Sequence, residues 1–96
     1  MKKLTLFYLT DCPYCHYAQR ALAELTAENP AYQAVPIEWI EERQQPDVAA
    51  RYDYYYVPSI FAGQVKLYEA NPAERYDDVK RNVRLALDAA AKQKTL

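Results

Sequence analysis

A strongly apolar segment leads directly into a helix start near the beginning of the chain, in the sequence KLTLFYLTDCPYC. Residues 3–9 are rich in β-forming side chains and apolar on both faces, which is typical of a central strand. Pro13 suits the first position of a helix, where its missing N–H is not needed. The apolar residues that follow recur at helical spacing: Ala18, Ala21, Leu22 and Leu25. We therefore predict a strand followed at once by a helix over residues 13 to about 28.

The middle of the chain predicts a second strand, a short helix and a β-hairpin. Residues 34–41 alternate as a strand does, and Pro36 places the first half of that strand at an edge or outside the sheet. Residues 44–54 predict a short helix with a proline near its first turn. Residues 57–69 predict a hairpin whose turn centres on Gly63, the only glycine, in a conformation with positive φ. Trp39 is interpreted as part of the sheet core.

A long closing helix is predicted to start with Asn71 as its N-cap and Pro72 just inside it. Its apolar stripe is Tyr76, Val79, Val83, Ala86, Leu87 and Ala90. Residues 92–96 are predicted to be a frayed tail. The element order β-α-β-α-β-β-α indicates an α/β fold, with a mixed four-stranded sheet flanked by helices, in one domain over residues 1–96.

The charge and hydropathy of the chain exclude several classes of partner. The net charge is −1 and the basic residues are scattered among acidic ones, so we expect neither nucleic-acid nor membrane binding. The apolar start imitates a signal peptide, but Thr5, Thr10 and Asp11 interrupt it and no small-residue cleavage site follows. We therefore expect a cytoplasmic monomer, in a compartment where thiols stay reduced and a lasting structural disulfide is disfavoured.

The only two cysteines, Cys12 and Cys15, flank the predicted helix start. Cys12 lies at or next to the N-cap, where free backbone N–H groups and the helix dipole favour a thiolate. Cys15 follows almost one turn later and beneath it, within reach of a mixed disulfide formed at Cys12. We predict that Cys12 attacks and Cys15 resolves, with Pro13 stiffening the segment between them.

Other interpretations of the pair stay open. A structural zinc site needs about four ligands, and the chain offers one cysteine pair and one histidine, His16. Two inert core cysteines are a third interpretation. His16, about one turn from Cys12, either favours the thiolate when protonated or faces solvent. Asp11 either disfavours the thiolate through its charge or caps the helix.

The motif CPYC after a first strand, with VPSIF opening a later hairpin, resembles the glutaredoxins of the thioredoxin-like superfamily. The resemblance implies a thiol–disulfide oxidoreductase that needs no metal or organic cofactor, with glutathione as a candidate reductant or co-substrate. It also implies that Pro58 is a cis-proline facing the cysteine pair and that the Val57 backbone pairs with the substrate. Tyr14 matches the aromatic residue that lies beside bound glutathione in that family.

Two regions of the sequence depart from the glutaredoxin pattern. Leu9, Thr10 and Asp11 precede the first cysteine, where the family usually carries a lysine or arginine. Glu69 stands in the region where the family carries small residues that hold glutathione, and its carboxylate is expected to repel those of glutathione. These departures favour an alternative, a thioredoxin-like donor dedicated to one protein and not to glutathione.

Four tyrosines, Tyr52, Tyr54, Tyr55 and Tyr56, run into the predicted substrate loop. Some are expected to pack inward, and others to form an amphipathic rim suited to a protein partner. The expected partners are disulfide-containing proteins or glutathione mixed disulfides, together with a reductase that returns electrons. A metal-binding or adaptor module that uses the cysteine pair is the alternative from another functional class.

Overall fold

The computed structural model describes residues 2–92 and contains a four-stranded sheet with four helices. The elements in chain order are β1 (Leu4–Tyr8), α1 (Pro13–Glu28), α2 (Pro30–Gln33), β2 (Ile37–Glu41), α3 (Pro46–Ala49), β3 (Ser59–Ala62), β4 (Val65–Glu69) and α4 (Tyr76–Lys92). The predicted order is confirmed, with one additional turn of helix. That turn is α2, which starts because Pro30 ends α1 and Asn29 caps the next turn by accepting from the Ala31 N–H (3.1 Å).

The sheet has the strand order β2-β1-β3-β4, so β1 is central as predicted. β1 pairs with β2 in parallel and with β3 in antiparallel, and β3 pairs with β4 in antiparallel. The hairpin turns at Gly63, whose φ of 59° lies in the left-handed region that a side chain disfavours. The register brings one end of each strand to the same end of the sheet. There Tyr8 pairs with Glu41, and Ser59 pairs with Phe7 and with Glu69.

Each face of the sheet is covered by its own hydrophobic cluster. Leu4, Leu6 and Ile60 point to the face where α1 and α4 pack, and the α4 stripe from Val79 to Ala90 is buried there. Phe7 and Phe61 point to the opposite face, where α3 and two of the tyrosines cover them. The alternation along β1 explains why both faces of this strand had to be apolar.

The prediction for Trp39 was wrong. Trp39 lies on β2, the outer strand of the sheet, and is 37% exposed. Its ring packs edge-on against Tyr8, with ring centroids 5.8 Å apart. A tryptophan on a strand of alternating pattern looks like a core residue, but here the face of the outer strand is only partly covered.

The predicted start of the closing helix was also wrong. Asn71 caps a separate turn, in which its side chain accepts from the Ala73 N–H (3.0 Å) and its carbonyl from the Glu74 N–H (2.9 Å). The Glu74 carboxylate fixes this turn by accepting from the Asn71 N–H (2.7 Å). Helix α4 begins only at Tyr76, so an Asx turn took the residues that resemble a helix cap.

The remaining expectations concern the ends of the chain and its helices. Helix α4 reaches Lys92, and the rest of the predicted frayed tail, residues 93–96, lies outside the described residues. Between residues 2 and 92, no helix has the length and apolar character needed to cross a membrane.

Candidate active site at the strand–helix junction

The turn between β1 and α1 places Cys12 at the N-cap of α1. The Cys12 backbone has extended dihedral angles (φ −95°, ψ 122°), and its N–H donates to the Leu9 carbonyl (3.3 Å). Its sulfur accepts from the backbone N–H of Cys15 at 3.4 Å, so the side chain performs the capping that a serine or aspartate usually performs. The Cys12 sulfur therefore lies at the N-terminus of α1, against an N–H of the first helical turn.

Cys15 differs from Cys12 mainly in its exposure. Cys15 is buried, with 1% of its surface exposed, whereas Cys12 is partly exposed. The Leu9 N–H lies 3.5 Å from the Cys15 sulfur. Burial raises the pKa of Cys15 well above its ordinary value, and the neighbouring Cys12 and Glu42 side chains act in the same direction. Both cysteines are free thiols here, and only Cys12 is partly exposed.

The predicted substrate loop faces Cys12. The Val57–Pro58 peptide is cis, as the resemblance implied, and the Cys12 thiol donates to the Val57 carbonyl at 3.5 Å. The Pro58 carbonyl is held by the Ala70 N–H (3.0 Å), and the Ser59 hydroxyl donates to the Tyr56 carbonyl (2.5 Å). These bonds fix the loop at the end of the sheet where β3 begins, so Val57 and Pro58 lie beside the cysteine pair.

Glu41 supports the loop before Cys12, and sequence reasoning missed it. Its side chain is only 4% exposed, at the end of β2. It accepts from the Arg43 N–H (2.6 Å), the Thr10 N–H (3.3 Å) and the Thr10 hydroxyl (3.1 Å). Burial acts to raise the pKa of this carboxyl, but the hydrogen bonds from Arg43 and Thr10 outweigh it and hold the pKa below its usual value.

The structure decides between the two interpretations of Asp11. The Cys12 sulfur occupies the capping position, so the interpretation of Asp11 as the helix cap was wrong. Asp11 is exposed, and its carboxylate pairs with the Arg43 guanidinium at 3.0 Å. This ion pair offsets the negative charge that lies next to the reactive thiol.

The His16 ring contacts the backbone and not the thiol of its neighbour one turn earlier. Its Nε2 atom lies 2.8 Å from the carbonyl oxygen of Thr10, on the exposed side of α1. Because a carbonyl oxygen only accepts, Nε2 carries the proton in this contact. His16 therefore helps to hold the turn before Cys12, and Pro13 occupies the first helical position as predicted. The supporting roles assigned to these two residues stay predictions.

Tyr14 lies beside a pocket at the same end of the sheet. Its hydroxyl donates to the Pro72 carbonyl, and its ring packs edge-on against Tyr17. The pocket has a volume of about 450 Å³. It is lined by Tyr55, Tyr56, Glu69, Ala70, Asn71 and Pro72. Tyr14 is thus placed where it can border a bound molecule, although its hydroxyl is engaged within the protein.

Glu69 is bound internally at the wall of this pocket. One carboxylate oxygen accepts from the backbone N–H groups of Tyr55 (2.6 Å) and Tyr56 (2.8 Å). The other oxygen accepts from the Lys66 ammonium at 2.7 Å. Burial acts to raise the pKa of Glu69, but the hydrogen bonds from Lys66, Tyr56 and Tyr55 outweigh it and hold the pKa below its usual value. The residue expected to repel glutathione therefore also organises the substrate loop.

The tyrosine run divides into two pairs, as predicted. The rings of Tyr52 and Tyr54 pack on Phe7, with centroids 4.7 Å and 4.9 Å away. Tyr55 is 90% exposed and Tyr56 is 53% exposed, and both line the pocket. Tyr55 and Tyr56 therefore form an exposed amphipathic surface at the pocket.

The metal interpretation finds no additional ligands nearby. Across residues 2–92, no group of three or more His, Cys, Asp or Glu side chains is arranged to hold a metal ion.

The mixed sheet carries a reduced Cys-X-X-Cys pair at the N-terminus of its first helix, opposite a cis-proline, and this arrangement of elements is that of the thioredoxin-like fold. No protein-family profile and no curated protein sequence matches the chain. Solved structures do match it, and they confirm the thioredoxin-like fold.

Three of these solved structures illustrate the likeness. A mutant thioredoxin from Halobacterium salinarum aligns with a TM-score of 0.59 and 17% identity, over 97% of this chain and 77% of the other. Thioredoxin 1 from Thermosipho africanus gives 0.57 and 15%, over 94% and 99%. An uncharacterized thioredoxin-like protein from Clostridium perfringens gives 0.55 and 21%, over 100% and 79%. Identities this low establish the fold, and the chemistry has to be argued from the site.

Proposed function

We propose that this protein is a thiol–disulfide oxidoreductase in which Cys12 attacks a substrate disulfide and Cys15 resolves the product. The observation that carries this proposal is the contrast between the two sulfurs. Cys12 is partly exposed and its sulfur receives a helical N–H at 3.4 Å, whereas Cys15 is buried and its pKa is raised. The first sulfur is placed to react with a partner, and the second only with the first.

The proposed reaction proceeds in two exchange steps. The Cys12 thiolate attacks one sulfur of the substrate, the substrate S–S bond breaks, and the second substrate sulfur leaves as a thiolate that takes up a proton. Cys15 then loses its proton and attacks the Cys12 sulfur, which releases the first substrate sulfur as a thiolate. The protein ends with a Cys12–Cys15 disulfide, oxidised by two electrons, and the substrate is reduced by two electrons. Two glutathione molecules or a protein dithiol would restore the reduced pair.

The substrate loop would orient the disulfide during the first step. The Val57 backbone, next to cis-Pro58, lies 3.5 Å from the Cys12 sulfur at its carbonyl. An extended substrate segment that pairs with this backbone would place its cysteine against Cys12, as in the addition of a short strand. Tyr14, Tyr55 and Tyr56 would border the bound segment.

The narrower assignment concerns the source of electrons. Glutaredoxin-like chemistry, with glutathione as reductant or as part of a mixed disulfide, is one candidate, supported by the CPYC motif. A protein substrate with a reductase as electron donor is the other. Two observations favour a protein substrate. The donors that could bind a carboxylate of glutathione, the Tyr55 N–H and Lys66, are already occupied by Glu69, and the exposed tyrosines provide an amphipathic surface. We further propose that the protein acts as a cytoplasmic monomer, which size-exclusion chromatography would test for the oligomeric state.

Trapping of the mixed disulfide tests the attacking and resolving roles. Cys15→Ser should accumulate a mixed disulfide with a peptide disulfide substrate, detected as an added mass at Cys12. The matched Cys12→Ser variant should form no such adduct, because Cys15 is buried. Equal adducts in both variants, or none in either, would contradict the proposal.

A glutathione assay separates the two electron sources. Substantial reduction of a glutathionylated substrate by the wild type and by Cys15→Ser would show that Cys12 alone handles glutathione. Negligible turnover with glutathione, while dithiothreitol still drives exchange, would point to a protein donor or target. Metal analysis of freshly purified protein tests the metal-binding alternative, since a stoichiometric metal in a dimer would overturn the redox assignment.

A further inference from the structure

Glu69 is held in the way that proteins hold a bound anion. Two consecutive backbone N–H groups, those of Tyr55 and Tyr56, converge on the same carboxylate oxygen at 2.6 Å and 2.8 Å. The Lys66 ammonium neutralises the other oxygen at 2.7 Å. Consecutive N–H groups that point to one spot, with a cation beside them, form a site for a carboxylate or phosphate oxygen. In this protein the anion that fills the site comes from the chain itself.

The site is close to the reactive thiol. Tyr55 and Tyr56 directly precede Val57, whose carbonyl accepts from the Cys12 thiol, and Glu69 pairs with Ser59 across the hairpin. The Glu69 side chain is 19% exposed and forms part of the wall of the 450 Å³ pocket. Shortening this side chain would therefore leave the two N–H groups and the ammonium facing a space that is open to solvent.

We propose that Glu69 is a specificity-determining residue: it occupies a carboxylate site beside Cys12 and so excludes substrates that bring a carboxylate of their own, glutathione among them. This inference rests on the proposed oxidoreductase function. A substrate with two or more carboxylates would have to displace Glu69 from three donors and would meet its negative charge. An extended protein segment without an acidic side chain at that point meets no such competition.

A binding test with acetate as the probe needs no redox activity. In Glu69→Ala, acetate should occupy the vacated site and raise Tm in a saturable way, at constant ionic strength with chloride as the reference anion. The wild type should show no such rise, because its site is filled. Glu38→Ala is the matched control. Glu38 also lies on an outer strand, β2, and pairs with a lysine (Lys3, 2.9 Å), but its carboxylate accepts from no backbone N–H among the described residues.

The outcomes of the acetate test are distinct. A saturable, acetate-specific rise in Glu69→Ala alone supports the site. A rise of the same size in the wild type or in Glu38→Ala would reflect general stabilisation by salt and would overturn it, as would no rise in Glu69→Ala.

A kinetic test addresses the exclusion of glutathione. The glutathione-dependent rate of Glu69→Ala should exceed that of the wild type by about tenfold, the size expected of one charge-assisted interaction. Exchange with dithiothreitol, which has no carboxylate, is the reference for any effect of the substitution on the substrate loop, so the ratio of the glutathione rate to the dithiothreitol rate should rise by about tenfold. An unchanged glutathione rate together with normal dithiothreitol exchange would overturn the role of Glu69 and leave the proposed function intact. Loss of dithiothreitol exchange in the wild type would instead refute the function itself.

A second variant keeps the inference testable if Glu69→Ala does not fold. Glu69→Gln preserves the size of the side chain and an acceptor oxygen for the N–H groups but removes the charge. Its glutathione-dependent rate should rise above that of the wild type, by less than in a variant that empties the site. A rate at or below that of the wild type in folded Glu69→Gln would overturn the inference.

Discussion

Glu41 and Glu69 are the last residues of the two outer strands, β2 and β4, and both lie at the same end of the sheet. Each supports one side of the candidate active site. Glu41 accepts from Thr10 and Arg43 and holds the turn before Cys12. Glu69 accepts from Tyr55 and Tyr56 and holds the loop before cis-Pro58. In both cases a carboxylate satisfies backbone N–H groups of a loop that has no strand partner of its own.

The two carboxylates differ in their surroundings. The Glu41 side chain is 4% exposed and is enclosed by its own donors, whereas the Glu69 side chain is 19% exposed and faces a pocket. A buried carboxylate that loses its donors has no water to replace them, but one at a pocket wall does. The cysteine side of the site is therefore supported from the protein interior, and the proline side from the wall of the pocket.

Alanine substitution of each carboxylate should give the largest effect. Glu41→Ala should lower Tm by about 10 °C and Glu69→Ala by about 5 °C, because the Glu41 side chain is the more deeply buried of the two. Glu41→Ala should also slow thiol exchange by about tenfold through loss of the Cys12 turn geometry. Thermal unfolding and a dithiothreitol-driven exchange assay would measure both. A larger loss of Tm in Glu69→Ala would reverse the comparison.

Acid should lower the stability that Glu41 and Glu69 each contribute to the fold. The folded pKa values of Glu41 and Glu69 lie below the ordinary 4.5, so each carboxylate stabilises the fold above about pH 4.5. This stability is lost as the pH falls through the lowered folded values. Urea unfolding from neutral pH to about pH 3 should show a steep loss in the wild type and a shallower one in the double variant Glu41→Gln/Glu69→Gln.

A third carboxylate provides the control for this experiment. Glu24 lies away from the site, between α1 and α4, and the Tyr76 hydroxyl, Lys80 and Arg20 lower its pKa to about 2. Glu24→Gln should therefore remove a separate part of the acid branch, between about pH 4.5 and about pH 2. An acid branch that is equally steep in the wild type and the double variant would contradict the role assigned to the two supports.

The sequence predicted the cysteine side of the site better than the side that contains cis-Pro58. The Cys12 cap, Pro13 and α1 follow from neighbouring residues, because helix capping is a local interaction. Glu69 reaches Tyr55 and Tyr56 only through the sheet register.

That register depends on an irregularity between Ile60 and Phe61, where Ile60 pairs with Tyr68 and Phe61 with Lys66. A regular ladder would have paired Ser59 with Tyr68 in place of Glu69, and a shift of one residue turns a side chain to the other face. No pattern of hydrophobicity announces such a bulge. Pro36 indicated an edge position for the first half of the Trp39 strand, but not that the face around Trp39 is only partly covered.

The tyrosine run offers a smaller test, at the boundary between the hydrophobic core and the exposed surface. Tyr54 packs on Phe7 and donates to the Glu42 carboxylate at 2.7 Å, whereas Tyr55 is exposed. Tyr54→Phe should lower the free energy of unfolding by about 1 kcal/mol, the usual value of such a hydrogen bond. Tyr55→Phe should leave it unchanged within measurement error. Equal losses of unfolding free energy in chemical denaturation would show that the boundary between core and surface does not lie between Tyr54 and Tyr55.

The smallest effects are expected from the cations that accompany the two carboxylates. Arg43 and Lys66 are both substantially solvent-accessible, with side chains 58% and 38% exposed. Because exposed ion pairs contribute little, Arg43→Ala and Lys66→Ala should each change Tm by no more than about 3 °C. Added salt should reduce even this difference. If either alanine variant matched the loss in its carboxylate variant, the cation and not the backbone N–H groups would hold that side of the site together.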